Sequence, residues 1–299
     1  MTILRLIFST VAIFGLLASS AFAETPAPET TAGVQTQVKK DEEPKSPWSA
    51  GVSASYNGGF RDDIDPYMFY ELSAGYKLSD SSSLSVIQGI TQLSYVYQGQ
   101  SEFQSSDTSF ALSRTLSKDF YGMSLSGKFK LTLPTSELSQ RADILTKPGL
   151  SFKLSDKFFD DKLTLGATVF GTYYLNRYKT TPTLYGANGG RPLRHWTTGL
   201  SLSSGYKLND KISLSGSGGY SYLVYEEVGF KNSFSALGLR NPPVHRYTFS
   251  LGADYAWNDK LSLSASYGQD SQVEKMGGLE LVVFDEMVTE WSVGASYSF

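Results

Sequence analysis

The chain has 299 residues, no cysteine, 26 basic and 29 acidic side chains and a formal net charge of −3. That excludes disulfide staples, thiol chemistry and the basic excess that a nucleic-acid partner calls for. Hydrophobic residues make up 40%, yet after the N-terminus no unbroken apolar stretch approaches the roughly 20 residues of a membrane helix, which leaves an exported soluble protein or a β-barrel.

Residues Met1 to Ala23 carry one early cation, Arg5, an apolar run of 12 residues from Leu6 to Leu17, and a small-residue ending, Ala21-Phe22-Ala23. This reads as a secretory signal cleaved before Glu24, too short to span a membrane. Cleavage removes Arg5 alone among the charges, so the mature chain is one unit more negative than the full one. No cysteine follows to carry a lipid anchor. Residues 24–47, ETPAPETTAGVQTQVKKDEEPKSP, hold Pro, Thr and charge but almost no large apolar side chain. They are expected to form a disordered periplasmic leader, because too little surface can be buried to offset the ordering entropy.

From Trp48 the hydrophobic period becomes two. Trp48, Ala50, Val52, Ala54 and Tyr56 share one face, with serine and glycine on the other, which is the pattern of a strand. The same alternation returns at Tyr70 to Leu78, Tyr121 to Leu133, Leu163 to Val169, Trp196 to Leu202, Ile212 to Gly216, Tyr247 to Tyr255, Leu261 to Tyr267 and Trp291 to Phe299. Segments 84–97, 108–116 and 144–154 alternate less cleanly but fall where strands are needed, which makes twelve. Short polar turns are expected at 79–83, 117–119, 155–162, 209–211 and 258–260, the last two inside near-identical phrases, GYKLNDKISLSG and YAWNDKLSLSAS. Long connections are expected near 58–67, 98–107, 134–143, 179–195, 226–245 and 271–287. Tight turns that alternate with long loops describe an antiparallel up-and-down barrel with all its tight turns at one end.

The face opposite the apolar set is Ser, Thr, Gly and Lys, too small and polar for the dry core of a sandwich. In an all-β transmembrane barrel that face lines water and the apolar face meets lipid. Tyr56, Tyr76, Tyr121, Tyr173, Trp196, Tyr206, Tyr255, Trp257, Trp291 and Phe299 would then form two interfacial aromatic girdles.

On these residues, Trp48 to Phe299 resembles the outer-membrane porin-type barrels of Gram-negative bacteria. Its ending, with Trp291, Val293, Ala295, Tyr297 and terminal Phe299 on one face, is similar to the signal by which the barrel-assembly machinery recognises such chains. KLTLPTS at 130–136 is similar to the Leu-Pro-Thr-Gly phrase of MetA-type outer-membrane proteins of phenol-degradation pathways, with Ser136 in place of the glycine. Taken together these imply residence in the bacterial outer membrane, in contact with its lipid and lipopolysaccharide.

Twelve strands lie between the roughly eight whose side chains fill a barrel and the 16 to 18 of open porins, so a narrow aqueous pore is expected. Parity sends Lys128, Lys130 and Lys147 inward on strands five and six, about eight to eleven residues above the turn end. Glu71, Asp270 and Glu290 point inward on strands two, eleven and twelve. The resulting expectation is a constriction with a basic wall facing an acidic one, whose transverse field orients small polar solutes. On the lipid face at mid-depth a lysine would cost about 2 to 4 kcal/mol, so inward is the cheaper placement.

Two other chemistries are weaker. His195 and His245 sit at strand starts without a recognisable nucleophile motif, and RDDIDP offers Asp62, Asp63 and Asp65 without the spacing of a Ca²⁺ loop. The expectation is therefore a passive channel, without cofactor or catalysis. The alternatives are a non-conducting barrel that binds a partner through its outer loops and, less favoured, an outer-membrane hydrolase.

Overall fold

The computed structural model describes residues 46–60, 65–96, 101–182, 188–227, 243–272, 274–275, 278–279 and 288–299. The expected signal segment and nearly all of the leader lie outside the described residues. Twelve long strands follow in order: β1 (Trp48–Gly59), β2 (Tyr67–Ser79), β3 (Ser82–Leu93), β4 (Thr108–Phe120), β5 (Met123–Leu133), β6 (Ile144–Phe158), β7 (Leu163–Tyr173), β8 (Arg194–Lys207), β9 (Ile212–Tyr225), β10 (Val244–Ala256), β11 (Leu261–Gln272) and β12 (Thr289–Ser298). Each pairs antiparallel with its chain neighbour, and β12 returns to β1 with Ala295 opposite Ala54. The all-β ring is closed, which removes the unpaired edges that hydrocarbon cannot solvate. Among the described residues no helix is long and apolar enough to cross a membrane.

Register fixes the two faces. Val52 lies opposite Leu72 and Tyr297. These three, with Leu112, Phe129, Leu150, Leu202, Leu251 and Val293, are exposed on the outside. A soluble protein does not display so continuous an apolar surface; a barrel wetted by lipid does. Tyr56 and Trp291 stack at 5.6 Å and Trp48 and Tyr76 at 4.6 Å, so aromatic pairs stand near opposite ends of β1. An apolar hollow of about 570 Å³ lies on this outer wall among Phe129, Pro148, Leu150, Tyr173 and Trp196. It adjoins the rung at which Pro148 has no N–H to give to the ladder.

The inner face is closed by hydroxyl pairs and glycine. Ser217 and Ser250 meet at 2.7 Å, Ser262 and Ser296 at 2.7 Å, and Ser266 and Ser292 at 2.6 Å. Gly252 lets Ser215 Oγ approach to 2.6 Å of where a β-carbon would stand. Uniformly small inward residues were expected, and this holds for much of the wall only. Phe69, Ile87, Phe170 and Leu223 also face inward, opposite Ser55, Ser73, Gly199 and Thr197. Conversely, Gln88 and Gln92 face outward on β3. Hydrogen bonds to Ser106 O at 2.8 Å and to Glu102 Oε1 at 2.7 Å meet their polarity, which is why the alternation of this strand is blurred.

The two repeated phrases build the same turn. Asn209 Oδ1 accepts from the backbone N–H groups of Lys211 at 2.8 Å and Ile212 at 2.9 Å. Asn258 does the same for Lys260 at 2.9 Å and Leu261 at 2.8 Å, an Asx turn that closes each hairpin. Two other turns differ from expectation. The β4–β5 reversal is at Tyr121 and Gly122, with φ of 55° and 85°, not at 117–119. Both central residues are left-handed, as a type I′ hairpin requires, and Asp119 Oδ1 fixes it by accepting from Gly122 N at 2.9 Å. Tyr121 therefore leaves the strand. The β6–β7 turn narrows to Phe159, Asp160 and Asp161, all left-handed at φ of 54° to 65°, because β6 stays paired through Phe158.

Candidate permeation path

The charged side chains of the inner face are placed by the ladder. On β5, Lys128 stands opposite Ser113 and Ser151, and Lys130 opposite Ala111 and Gly149. Small neighbours on both sides leave room for the two long stems. Lys153, one residue pair further along β6, points the same way opposite Ser126 and Thr168. Its parity equals that of Lys147, so the sequence carried the signal, unused.

Lys147 is occupied. Its Nζ donates to Asp107 Oδ2 at 2.7 Å and to Ser139 Oγ at 3.3 Å, and lies 5.7 Å from the centre of the Tyr174 ring. Asp107 also accepts from Ser139 Oγ at 2.5 Å and Ser136 N at 2.9 Å. Burial alone would raise the Asp107 pKa, but the bonds from Lys147, Ser136 and Ser139 outweigh it and hold the carboxyl below its ordinary range.

On the other wall Glu71 lies opposite Ser53 and Gly89. Glu290 accepts from the Tyr67 hydroxyl at 3.2 Å. Asp270 is paired with Arg246 Nη2 at 2.9 Å, so the expected acidic wall contains an arginine that sequence reasoning passed over. Arg194, on β8 opposite Tyr225, lies within electrostatic range of both Arg246 and Asp270. The pairs Lys147–Asp107 and Arg246–Asp270 span 40 and 24 positions of chain, and strand register brings them together.

The heights are also corrected. Counted from the true turns, Lys128 is six residues above Gly122, Lys130 eight, and Lys147 twelve before Phe159. At about 3.3 Å per residue the three ammonium groups spread along the wall instead of forming one level.

The two histidines have other partners. His195 Nδ1 is 3.0 Å from Glu226 Oε1, and the ring packs edge-on against Tyr173 at 5.0 Å. His245 Nδ1 meets the Tyr220 hydroxyl and the ring packs on Tyr222 at 4.7 Å. Among the described residues neither histidine hydrogen-bonds a serine, so no acyl-transfer constellation is assembled there. Of the acidic loop, Asp62 and Asp63 lie outside the described residues, and no group of three or more potential metal ligands occurs among those described. On β12 the outward column Trp291, Val293, Ala295 and Tyr297 ends in Phe299, whose ring lies 5.0 Å from that of Tyr297.

No protein-family model and no curated protein sequence matches the chain. Solved structures do. The COG4313 outer membrane channel from Pseudomonas putida F1 aligns at 15% identity over 88% of this chain and 100% of that one, with a TM-score of 0.58. The NanC porin aligns at 11% identity over 83% and 98%, with a TM-score of 0.51. The KdgM porin, solved in complex with disordered oligogalacturonate, aligns at 11% over 84% and 99%, with a TM-score of 0.47. The chain thus shares the closed-barrel fold of the COG4313 channel and the NanC porin.

Proposed function

We propose that the protein is an outer-membrane channel through which small hydrophilic solutes diffuse passively, with no cofactor and no chemical step. One observation carries the reading: the ring is apolar outside and lined over much of its inside by paired serines, glycines and lysines. Such a wall can be wetted on one side only. The closed-barrel likeness to solved outer-membrane channels supports the same reading at the level of fold. Residues 1–23 act as the export signal, 24–47 as the periplasmic leader, and Trp291, Val293, Ala295, Tyr297 and Phe299 as the ending read by the barrel-assembly machinery.

Lys128, Lys130, Lys147, Glu71, Asp270 and Glu290 line the path in this reading. Lys147 and Asp270 have ionic partners, and the transverse field is the sum of these pairs and the other lining charges. Proteoliposome swelling in neutral sugars of rising size tests the function. Rapid entry of monosaccharides with exclusion of large oligosaccharides is expected. Vesicles that hold folded barrel yet swell no faster than empty ones would contradict it.

A further inference from the structure

Just before β4 the ladder to β3 slips by one residue. Ile87 lies opposite Ser109 but Ile90 opposite Ser105, so one extra residue is inserted on the β4 side, a β-bulge. Ser105 and Thr108 share the outward side with Gln88, which bonds both. Ser106 Oγ stands at 2.8 Å from where a Gly89 side chain would begin, on the inward face. The extra residue turns Asp107 inward as well, which is what brings its carboxylate to Lys147.

That carboxylate is also where the β5–β6 connection is tied down. Pro134 ends β5; Ser136 caps the short helix α1 (Glu137–Arg141) by accepting from Ser139 N at 3.1 Å. Both Ser136 N and Ser139 Oγ reach Asp107, and Lys147 touches Asp107 and Ser139 together. A second strap runs beside it: Thr135 Oγ1 accepts from Thr108 N at 2.8 Å and donates to Ser106 O at 3.2 Å. Asp107 and Lys147 are only 9% and 21% exposed. Lifting the connection off the wall would leave two opposite charges half-buried and short of partners, so the strap is held firmly. Leu138, on the same turn as Ser139, is 73% exposed, and Glu137 and Arg141 form an exposed pair at 2.5 Å.

We propose that the 134–143 connection is a fixed constriction element of the pore, and that Asp107 is the positioning residue that holds it over the inner wall. Lys147 then acts as an anchor, not as a filter charge, and solute size is selected where α1 stands. This rests on the channel reading above.

The chain has no cysteine, so Leu138→Cys gives one modifiable thiol at an exposed position. Single-channel conductance in a planar bilayer is read before and after a bulky neutral methanethiosulfonate, with completeness of labelling checked by mass. A clear fall in conductance is expected on labelling, and a higher conductance in Asp107→Ala than in wild type. Full labelling with unchanged steps would overturn the constriction role and leave the channel reading intact. An unlabelled Leu138→Cys protein that is folded and gives no steps would overturn the channel reading, and this inference with it.

Discussion

Lys128 is the most telling single side chain. It points inward between two serines and forms no ion pair among the described residues, so in the proposed channel its charge would act on a passing solute. Replacing Lys128 and Lys130 together with Glu is expected to move the reversal potential in a salt gradient toward cation preference, with a several-fold change in permeability ratio. An unchanged reversal potential would remove both from the path. Asp107 gives a pH prediction. Its folded-state pKa is depressed, so its stabilising contribution is complete above the unfolded value of roughly 3.9 and is lost as pH falls through the lower folded value. Conductance is therefore expected to hold steady from neutral pH to about 4 and to rise only in stronger acid. Parity alone disclosed that Lys128, Lys130 and Lys147 face inward, and the same parity went unused for Lys153. That Lys147 and Asp270 are paired was not legible, because each partner lies a strand or more away in sequence and one of them is turned by a bulge.

At the scale of the element, hairpins were easy to find and harder to bound. Asn209 and Asn258 each accept two backbone N–H groups, so Asn→Ala at either is expected to cost about 1 kcal/mol per lost bond, and the two losses should add because the hairpins are separate. Denaturant unfolding in lipid vesicles reads this directly. Gly122, at φ of 85°, should tolerate no β-branched side chain: Gly122→Val is expected to destabilise by roughly 1 to 2 kcal/mol. The polar run Ser117-Lys118-Asp119 looked like a turn by composition. Register shifts between Thr115 and Phe120 carry the strand past it, so that Asp119 serves the turn from outside. On β3 the alternation was obscured because Gln88 and Gln92 face outward with their hydrogen bonds met, a matter of tertiary partners that a period-two pattern does not record.

For the whole molecule, strand number and order were readable because every tight turn falls at one end and every long connection at the other, and the ring closes β12 on β1 in that order. What reading along the chain missed is the content of the mouth side: Arg194 and Arg246 on one wall, Asp107 with α1 on the other. These depend on which strands become neighbours across long connections. Single-channel recording of the refolded wild-type protein in a planar bilayer, with a salt gradient across it, asks whether the barrel conducts. Stable, discrete conductance steps with a measurable ion preference are expected. A silent bilayer, with circular dichroism still showing intact sheet, would contradict the channel reading.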